Sequence, residues 1–180
     1  MVLTLTHLQK GTIIMKNTLI FAVSALLTFT AAAAETILFE DSFDNAKNWF
    51  QNGKNGKFNF SDAGKTGKCL NIINADNIFM CNISKTLTVK NGAVLKISFD
   101  AKGSGSLSIN PMGRDAKGLN TQYLAVKTFK IATDKWQTFS YELPFAHKKN
   151  NALAILALRL NFYKNCNIMM DNFKITAVEK

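Results

Sequence analysis

The residue whose chemistry conflicts most with its predicted position is Asp171, near the end of the chain. The segment around it alternates, and its apolar residues occupy odd positions: Met169, Phe173, Ile175 and Ala177. A period of two is typical of a strand, and Asp171 shares the parity of the inward-facing set. A buried carboxylate is costly unless a cation or several hydrogen-bond donors meet it. We therefore expect either a local disturbance of the strand register or a positive group beneath Asp171.

Few other residues suggest catalytic chemistry. A glycosidase needs two carboxylates across a cleft, but nothing in the sequence pairs Glu142 with a second carboxylate. Beyond residue 34 the chain has one histidine, His147, in a predicted loop, and Tyr123, Arg114 and His147 share no lyase motif. Phosphate-binding and nucleophile-elbow motifs are missing from the sequence. We expect that the chain is not an enzyme, and a small polysaccharide lyase or hydrolase is the least favoured alternative.

Three cysteines raise the question of disulfide chemistry. Cys69 and Cys81 are equally distant from Ala75, which lies in the turn-like stretch 74–77. A hairpin of residues 69–73 with 78–83 would place these two cysteines opposite each other. A Cys69–Cys81 disulfide is therefore one expectation, and two buried thiols are the alternative. Cys166 would then have no partner within the chain, and it would be either a free thiol or a disulfide link between two chains.

The N-terminal segment has the features of a secretory signal peptide. Lys16 is followed by an apolar stretch of about a dozen residues and by small residues that fit an Ala-x-Ala cleavage site near Ala34. The apolar stretch falls short of the ~20 residues that span a membrane, so a membrane anchor is the less favoured alternative. We expect residues 1–34 to be cleaved, with Met15 as an alternative start. Residues 35–180 would then form one secreted or periplasmic domain.

The chain is strongly basic, with a formal net charge of +10. Almost all its cations are lysines scattered along the sequence, and its arginines are Arg114 and Arg159. One interpretation is a soluble basic surface. The sharper one is attraction to an acidic polymer outside the cell, such as a uronate or sulfated glycan. Predicted export and the lack of an arginine cluster both argue against nucleic-acid binding.

The elements that must position these residues are short strands. About nine or ten segments alternate with a period of two, and turn signals recur roughly every 8–14 residues. No stretch beyond residue 34 has a convincing helical period. The pattern predicts a single all-β domain, an antiparallel two-sheet sandwich or barrel.

The last two strands are predicted to form a hairpin. The apolar residues of the segment 152–163 settle on even positions, and Lys164-Asn165 can form a two-residue turn. That turn would set Leu160 opposite Met169, so that the apolar sides of both strands coincide. Arg159 and Asn161 would then face outward.

Several motifs follow one another along the chain in the order of a known family: Leu38-Phe39-Glu40-Asp41 with Trp49, Gly67-x-Cys69-Leu70-x-Ile72, Val94-x-Lys96-Ile97-Ser98-Phe99-Asp100, Thr133-x-x-Trp136-Gln137-x-Phe139 and Ile168-x-x-Asp171-Asn172-Phe173-x-Ile175. Together they resemble carbohydrate-binding modules of the galactose-binding-like jelly-roll type, which include xylan- and β-glucan-binding families. The resemblance covers essentially all of residues 35–180. It implies a two-sheet antiparallel jelly-roll sandwich that binds a polysaccharide, although a fold by itself does not settle a function.

The resemblance also implies a structural calcium ion, because in those families an N-terminal acid and a late Asp frequently hold one. Carried over to this chain, the ligands would be Glu40, Asp41 and Asp171. Backbone carbonyl oxygens would complete the six to eight oxygen ligands that calcium takes. Such an ion would account for an inward Asp171. The alternative is that Asp171 pairs with a lysine or caps a bulge.

Sugar binding by such modules requires aromatic faces that stack on pyranose rings, flanked by polar side chains that reach hydroxyl groups. Outward residues with these properties are the expected ligand-binding set: Tyr123, Gln122, Arg114, Tyr163, Asn161 and Tyr141. The two tryptophans, Trp49 and Trp136, are expected in the core.

The leading prediction is a secreted, calcium-stabilised module that binds a polysaccharide or cell-envelope glycan without cleaving it. The basic composition favours an acidic glycan. The alternative is a structural or surface-assembly sandwich that makes protein contacts. Such a protein would be joined through Cys166 or through an exposed strand edge.

Overall fold

The computed structural model of the chain describes residues 34–44, 46–52, 57–74, 79–115, 117–119, 121–148 and 153–179. All of the predicted signal peptide except its last residue lies outside them. The described part contains a short 3-10 helix at Ala46–Asn48 and eleven strands: β1 Glu35–Asp41, β2 Trp49–Gln51, β3 Lys57–Ser61, β4 Cys69–Asn74, β5 Phe79–Ile83, β6 Leu87–Lys90, β7 Val94–Arg114, β8 Gln122–Tyr123, β9 Lys127–Pro144, β10 Leu153–Phe162 and β11 Cys166–Val178. Among these residues no helix combines the length and the apolar character needed to span a membrane.

The long strand β7 takes part in two layers. One of its edges pairs antiparallel with β9 from Val94 to Ile109. Along the other edge, the first part of β7 pairs with β11 and the last part, from Leu107 to Arg114, pairs with β10. In the first layer, β1 and β4 lie beyond β11, and β3 follows β4. In the second layer, β5 and β6 lie beyond β10, and β2 follows β5. Buried residues of both layers form one hydrophobic cluster.

β7 passes from the first layer to the second at Gly103 and Gly105, whose φ angles are 115° and 129°. A Cβ atom at Gly103 would collide with the carbonyl oxygen of Asn167, and one at Gly105 would collide with Cys166. Only glycine adopts this backbone without strain and leaves room for the neighbouring strand. These two positions therefore allow one strand to serve both layers.

The turn at Lys164-Asn165 is confirmed, but the hairpin predicted around it is wrong. β10 pairs with β5, β6 and β7, whereas β11 pairs with β1, β4 and β7, so the two strands are not hydrogen-bonded to each other. Leu160 lies opposite Cys81 and Ile109 instead of Met169. Alternation indicated the buried side of β10 correctly. The apolar sides of β10 and β11 both contribute to the hydrophobic core, although β7 and not a direct ladder connects the two strands.

The register disturbance predicted at Asp171 is confirmed. The pairing of β11 with β7 shifts between Asp171 and Lys174, and Asn172 has a φ of 49°, as at a β-bulge. The buried apolar residues are even-numbered before the bulge and odd-numbered after it: Ile168, Met170, Phe173, Ile175 and Ala177. Met169 therefore lies half-buried on the outer side, and its predicted inward position is wrong.

The two tryptophans have different environments. Trp49 is buried as predicted, and its ring stacks on Phe43 and meets the edge of Phe173, each with a centroid distance of 5.3 Å. Trp136 is only half-buried. Its ring lies 4.8 Å from the ammonium nitrogen of Lys102, a cation–π contact at the surface of the first layer. The predicted core position of Trp136 is therefore wrong.

The predicted Cys69–Cys81 disulfide is also wrong, because the hairpin that would have formed it does not exist. Cys69 lies in β4 of the first layer, and Cys81 lies in β5 of the second. Both are free and buried, as is Cys166, so the alternative of buried thiols is confirmed. Strands that follow each other along the chain need not be neighbours in a sandwich, where a connection can cross between layers.

Candidate functional site

The outer side of the second layer carries a group of polar, basic and aromatic side chains. In β10 every second residue is buried, and the residues between them lie on the outer side. We call this surface the arginine face, because both arginines of the chain lie on it. Its members are outward residues of β2, β5, β7 and β10: Phe50, Asn82, Asn110, Met112, Arg114, Ala157, Arg159 and Asn161.

A row of four side chains crosses this face. Arg159 lies opposite Asn82 of β5 on one side and opposite Asn110 of β7 on the other. Asn82 in turn lies opposite Phe50 of β2. Residues directly opposite each other in antiparallel strands point to the same side of the sheet. At ~4.8 Å per strand, the row spans roughly 14 Å.

A cavity of about 290 Å³ opens on this face. Arg114 and Arg159 both line it, together with Phe50, Asn82 and Lys85. None of the described residues that line the cavity is acidic. The cavity is therefore lined by two arginines and a lysine, and no carboxylate among its described lining residues neutralises their charge.

Four buried polar atoms of the arginine face have no hydrogen-bond partner within the described part of the chain. They are two donors and two acceptors: Nε of Arg114, Nε of Arg159, Oδ1 of Asn82 and Oδ1 of Asn161. A buried polar atom that lacks a partner costs about 1–3 kcal/mol, so such groups call for an explanation. Arg114, Arg159 and Asn82 also line the cavity, whereas Asn161 lies on the same face beside it. Donors and an acceptor around one cavity are the arrangement expected of a site for a polyhydroxylated ligand.

The carboxylates of the first layer have a different role, because N–H groups already surround them. Oδ2 of Asp171 accepts hydrogen bonds from the backbone N–H groups of Lys65 (2.7 Å) and Thr66 (3.0 Å), and its Oδ1 accepts from the N–H of Asn172 (2.7 Å). Asp171 is fully buried. These contacts satisfy its charge by several donors at a bulge, which was the alternative to calcium.

Comparison with known proteins shows the family of this chain. A family model described as a carbohydrate binding domain matches residues 35–159. The chain belongs to this family. No curated protein matches the module.

Solved structures confirm the predicted jelly-roll sandwich, since the module is similar to several of them. The CBM22-1 xylan-binding domain of Paenibacillus barcinonensis Xyn10C is 20% identical with a TM-score of 0.56, over 83% of this chain and 99% of that chain. The family 11 carbohydrate-binding module of Clostridium thermocellum, in complex with a β-1,3-1,4-mixed-linked tetrasaccharide, is 19% identical with a TM-score of 0.53, over 81% and 96%. The CBM22-1–GH10 modules of Clostridium thermocellum Xyn10B, complexed with xylohexaose, are 17% identical with a TM-score of 0.61, over 82% of this chain and 29% of that chain.

The fold brings several of the predicted ligand-binding residues of the module to the arginine face or its edge. Arg114 and Asn161 belong to the face itself. Tyr123 lies opposite Met112 at the edge and is 72% exposed. Tyr163 follows β10, and its hydroxyl donates to Oγ of Ser108, at 3.5 Å.

Two predicted ligand-binding residues have other roles. Gln122 donates from Nε2 to the carbonyl of Ala146 and accepts at Oε1 from the N–H of Lys148, so it anchors the loop after β9. Tyr141 lies opposite the buried Ile97 in the first layer, and burial raises the pKa of its hydroxyl. The predicted outward position of Tyr141 is therefore wrong.

Sequence reasoning missed three members of the face: Phe50, Asn82 and Arg159. A signal existed for Arg159, because alternation placed it outward and it is one of only two arginines. Phe50 directly follows the buried Trp49 in a strand, so it had to point outward, and it is 46% exposed. No sequence pattern indicated Asn82, because its place on the arginine face depends on which strands lie beside β5.

The three carboxylates predicted to hold calcium do not fit that ion. Oδ1 of Asp41 accepts from the N–H of Phe43 (2.7 Å), and its Oδ2 accepts from Nε1 of Trp49 (2.6 Å). Asp171 is likewise surrounded by N–H donors, and Glu40 is exposed. No group of three or more His, Cys, Asp or Glu residues in the described ranges could hold a metal ion. N–H groups aimed at a carboxylate oxygen occupy the positions that a cation would need.

Proposed function

We propose that this module binds a polysaccharide without cleaving it and that the arginine face is its binding surface. The observation that supports this most directly is the set of unpartnered, buried polar atoms on the arginine face, three of which belong to residues that line its cavity: Nε of Arg114, Nε of Arg159 and Oδ1 of Asn82. Membership of the carbohydrate binding domain family gives the class of ligand. The similar structures include a xylan-binding domain and a module in complex with a mixed-linked β-glucan oligosaccharide.

The chemistry of the face suits sugar hydroxyl groups, each of which can donate and accept a hydrogen bond. The Oδ1 atoms of Asn82 and Asn161 would accept from such groups, and the Nε atoms of Arg114 and Arg159 would donate to them. Phe50 presents a half-exposed ring at one end of the row, where it can cover the apolar side of a pyranose ring.

The absence of hydrolysis is part of the proposal. Glycoside hydrolysis uses a pair of carboxylates on either side of the scissile bond. The described residues that line the cavity contribute no carboxylate. A chain bound on this face would therefore meet hydrogen-bond donors and acceptors but no general acid among them.

Export of the module is also proposed, on the basis of the signal-like segment at residues 1–34. The ligand would then be an extracellular or cell-envelope polysaccharide. Joining of copies through Cys166, which the surface-assembly alternative required, is disfavoured because this thiol is buried against Gly105.

Affinity electrophoresis in gels that contain xylan, mixed-linkage β-glucan or acidic polysaccharides tests the proposal. We expect at least one polymer to retard the module, and we expect Asn82→Ala and Arg159→Ala to weaken that retardation. Lys96→Ala is the matched control, because Lys96 is an exposed residue of the first layer. If both variants are retarded as strongly as the wild type, the arginine face is not the binding surface. If no polymer retards the wild type, polysaccharide binding is contradicted.

A further inference from the structure

We propose that the polysaccharide is anionic and that Arg114 and Arg159 bind the carboxylate groups of its uronate residues. This inference rests on the proposed function, since it assumes that the arginine face is the binding surface. It adds the chemical class of the polymer and the two residues that select it.

The cavity carries positive charge that no described lining residue compensates. Arg114, Arg159 and Lys85 line it, and its described lining includes no Asp or Glu. The ion pairs among the described residues join Lys65 to Asp100 and Lys90 to Glu179, so neither arginine takes part in one. A neutral glycan would leave these cations without a counter-charge, whereas a carboxylate would supply it.

Asp115 follows Arg114 in the chain but is engaged elsewhere. Its Oδ1 accepts hydrogen bonds from the backbone N–H groups of Lys117 (3.1 Å) and Leu119 (2.8 Å). Asp115 is also absent from the lining of the cavity. The Asp115 carboxylate is therefore held by the loop that follows β7 and does not line the cavity.

Arginine occurs in this chain at these two positions. The module uses lysine for nearly all of its positive charge, and its two arginines both lie on this face. Lysine carries a mobile point charge, whereas the planar guanidinium group can donate two parallel hydrogen bonds to one carboxylate. The unpartnered Nε atoms of Arg114 and Arg159 are one half of such a pair of donors.

The two arginines lie well apart along the sheet. Arg114 lies opposite Ile155, four residues before Arg159 on the adjacent strand, which corresponds to about 13 Å along the strand. Ala157 and Met112 lie opposite each other between them. Two arginines whose backbone positions lie this far apart suit charges on separate residues of a polymer better than a single small anion. Both arginines line the same cavity, and Ala157 and Met112 line it between them.

The test compares uronate polymers with their own neutral forms. The probes are polygalacturonate, polymannuronate and a glucuronate-substituted xylan, each with its carboxyl-reduced counterpart, and a sulfated glycan as the other source of anionic charge. The proteins are the wild-type module, Arg114→Lys with Arg159→Lys, and a control with Lys96→Ala and Lys174→Ala. The double lysine variant keeps the net charge of the wild type but loses the planar guanidinium donors. Nonspecific attraction between the basic protein and an anionic polymer is therefore the same for both proteins.

We expect the wild type to bind at least one uronate polymer about tenfold more tightly than its carboxyl-reduced form. The double lysine variant should lose this preference, and the control should keep it; thermal melting establishes that each variant is folded. Equal affinity for the charged and reduced forms would overturn this inference while leaving polysaccharide binding intact. A preference that survives in the double lysine variant, or that is stronger for the sulfated glycan, would also overturn it. If no polymer binds, the proposed function fails as well.

Discussion

Asp100 of β7 and Asp171 of β11 lie directly opposite each other in the first layer, and both are buried. Like charges at opposed positions normally destabilise a sheet. Here each carboxylate has its own donors. Asp100 accepts from Thr138 (2.6 Å), Asn172 (2.9 Å) and the ammonium group of Lys65 (3.0 Å). The backbone N–H of the same lysine donates to Asp171. Lys65 therefore stabilises both carboxylates, Asp100 through its ammonium group and Asp171 through its backbone.

Replacing Asp171 by Asn should destabilise the module. The amide group would set a donor against backbone N–H groups that now donate to a carboxylate oxygen. We expect a loss of about 1–3 kcal/mol in the free energy of unfolding, measured by urea denaturation. Asp134→Asn, at an exposed position of β9, is the control and should change stability by less than about 0.5 kcal/mol. Equal stability of the two variants would contradict the role given to Asp171.

The acid stability of the module should depend on Asp100. Burial acts to raise the pKa of this carboxyl, but the hydrogen bonds from Thr138, Asn172 and Lys65 outweigh it and hold the pKa below the ordinary value. The charged form therefore stabilises the folded state above the ordinary pKa. This contribution is lost as the pH falls from that value through the lower pKa of the folded state.

The variant Asp100→Asn should lose less stability than the wild type over that acidic interval. Urea midpoints measured at neutral pH and at several pH values around and below the ordinary carboxyl pKa would show the difference. Parallel curves for the variant and the wild type would show that Asp100 is not the group responsible.

Calcium, which the family resemblance implies, should have little effect on stability. The oxygens of Asp41 and Asp171 already accept hydrogen bonds from N–H groups, and a ligand of the folded state must raise the melting temperature by mass action. We expect the same melting midpoint in a chelator and in millimolar calcium. A midpoint that rises with calcium concentration would restore the predicted site, and Glu40→Ala would then identify whether the exposed carboxylate contributes.

Phe50 should contribute to glycan binding but little to folding. Its ring is 46% exposed at the end of the row that contains Arg159, so truncation removes contact area for the ligand more than core packing. We expect Phe50→Ala to weaken polysaccharide binding about tenfold and to change stability by less than about 1 kcal/mol. Trp136→Ala is the matched control, because this half-buried aromatic residue lies in the first layer. If Trp136→Ala alone weakens binding, the ligand lies on the opposite side of the sandwich.

Reducing agent should leave the melting midpoint unchanged, because Cys69, Cys81 and Cys166 are free. Burial also raises the pKa of the Cys81 thiol, which keeps it in its unreactive form. A thiol reagent should therefore modify the native module slowly and count three thiols per chain after denaturation. A count of one would restore the predicted disulfide.

The sequence by itself determined that the domain is built of strands and, for most of them, which side is buried. Alternation in β10 follows from the pleat of a single strand, so it needs no knowledge of neighbours. The conflict at Asp171 was visible for the same reason, since a carboxylate interrupts an apolar parity. The order of the motifs was also sufficient to indicate the family.

Only the tertiary structure decided which strands lie side by side. The apolar sides of β10 and β11 are buried in the core whether the two strands pair with each other or not. Alternation therefore could not distinguish a hairpin from a crossover connection. The same ambiguity produced the wrong disulfide. The arginine face depends entirely on this choice: Arg159 meets Asn82 and Asn110 because β10 lies between β5 and β7, and hydrogen bonds between distant segments set that order.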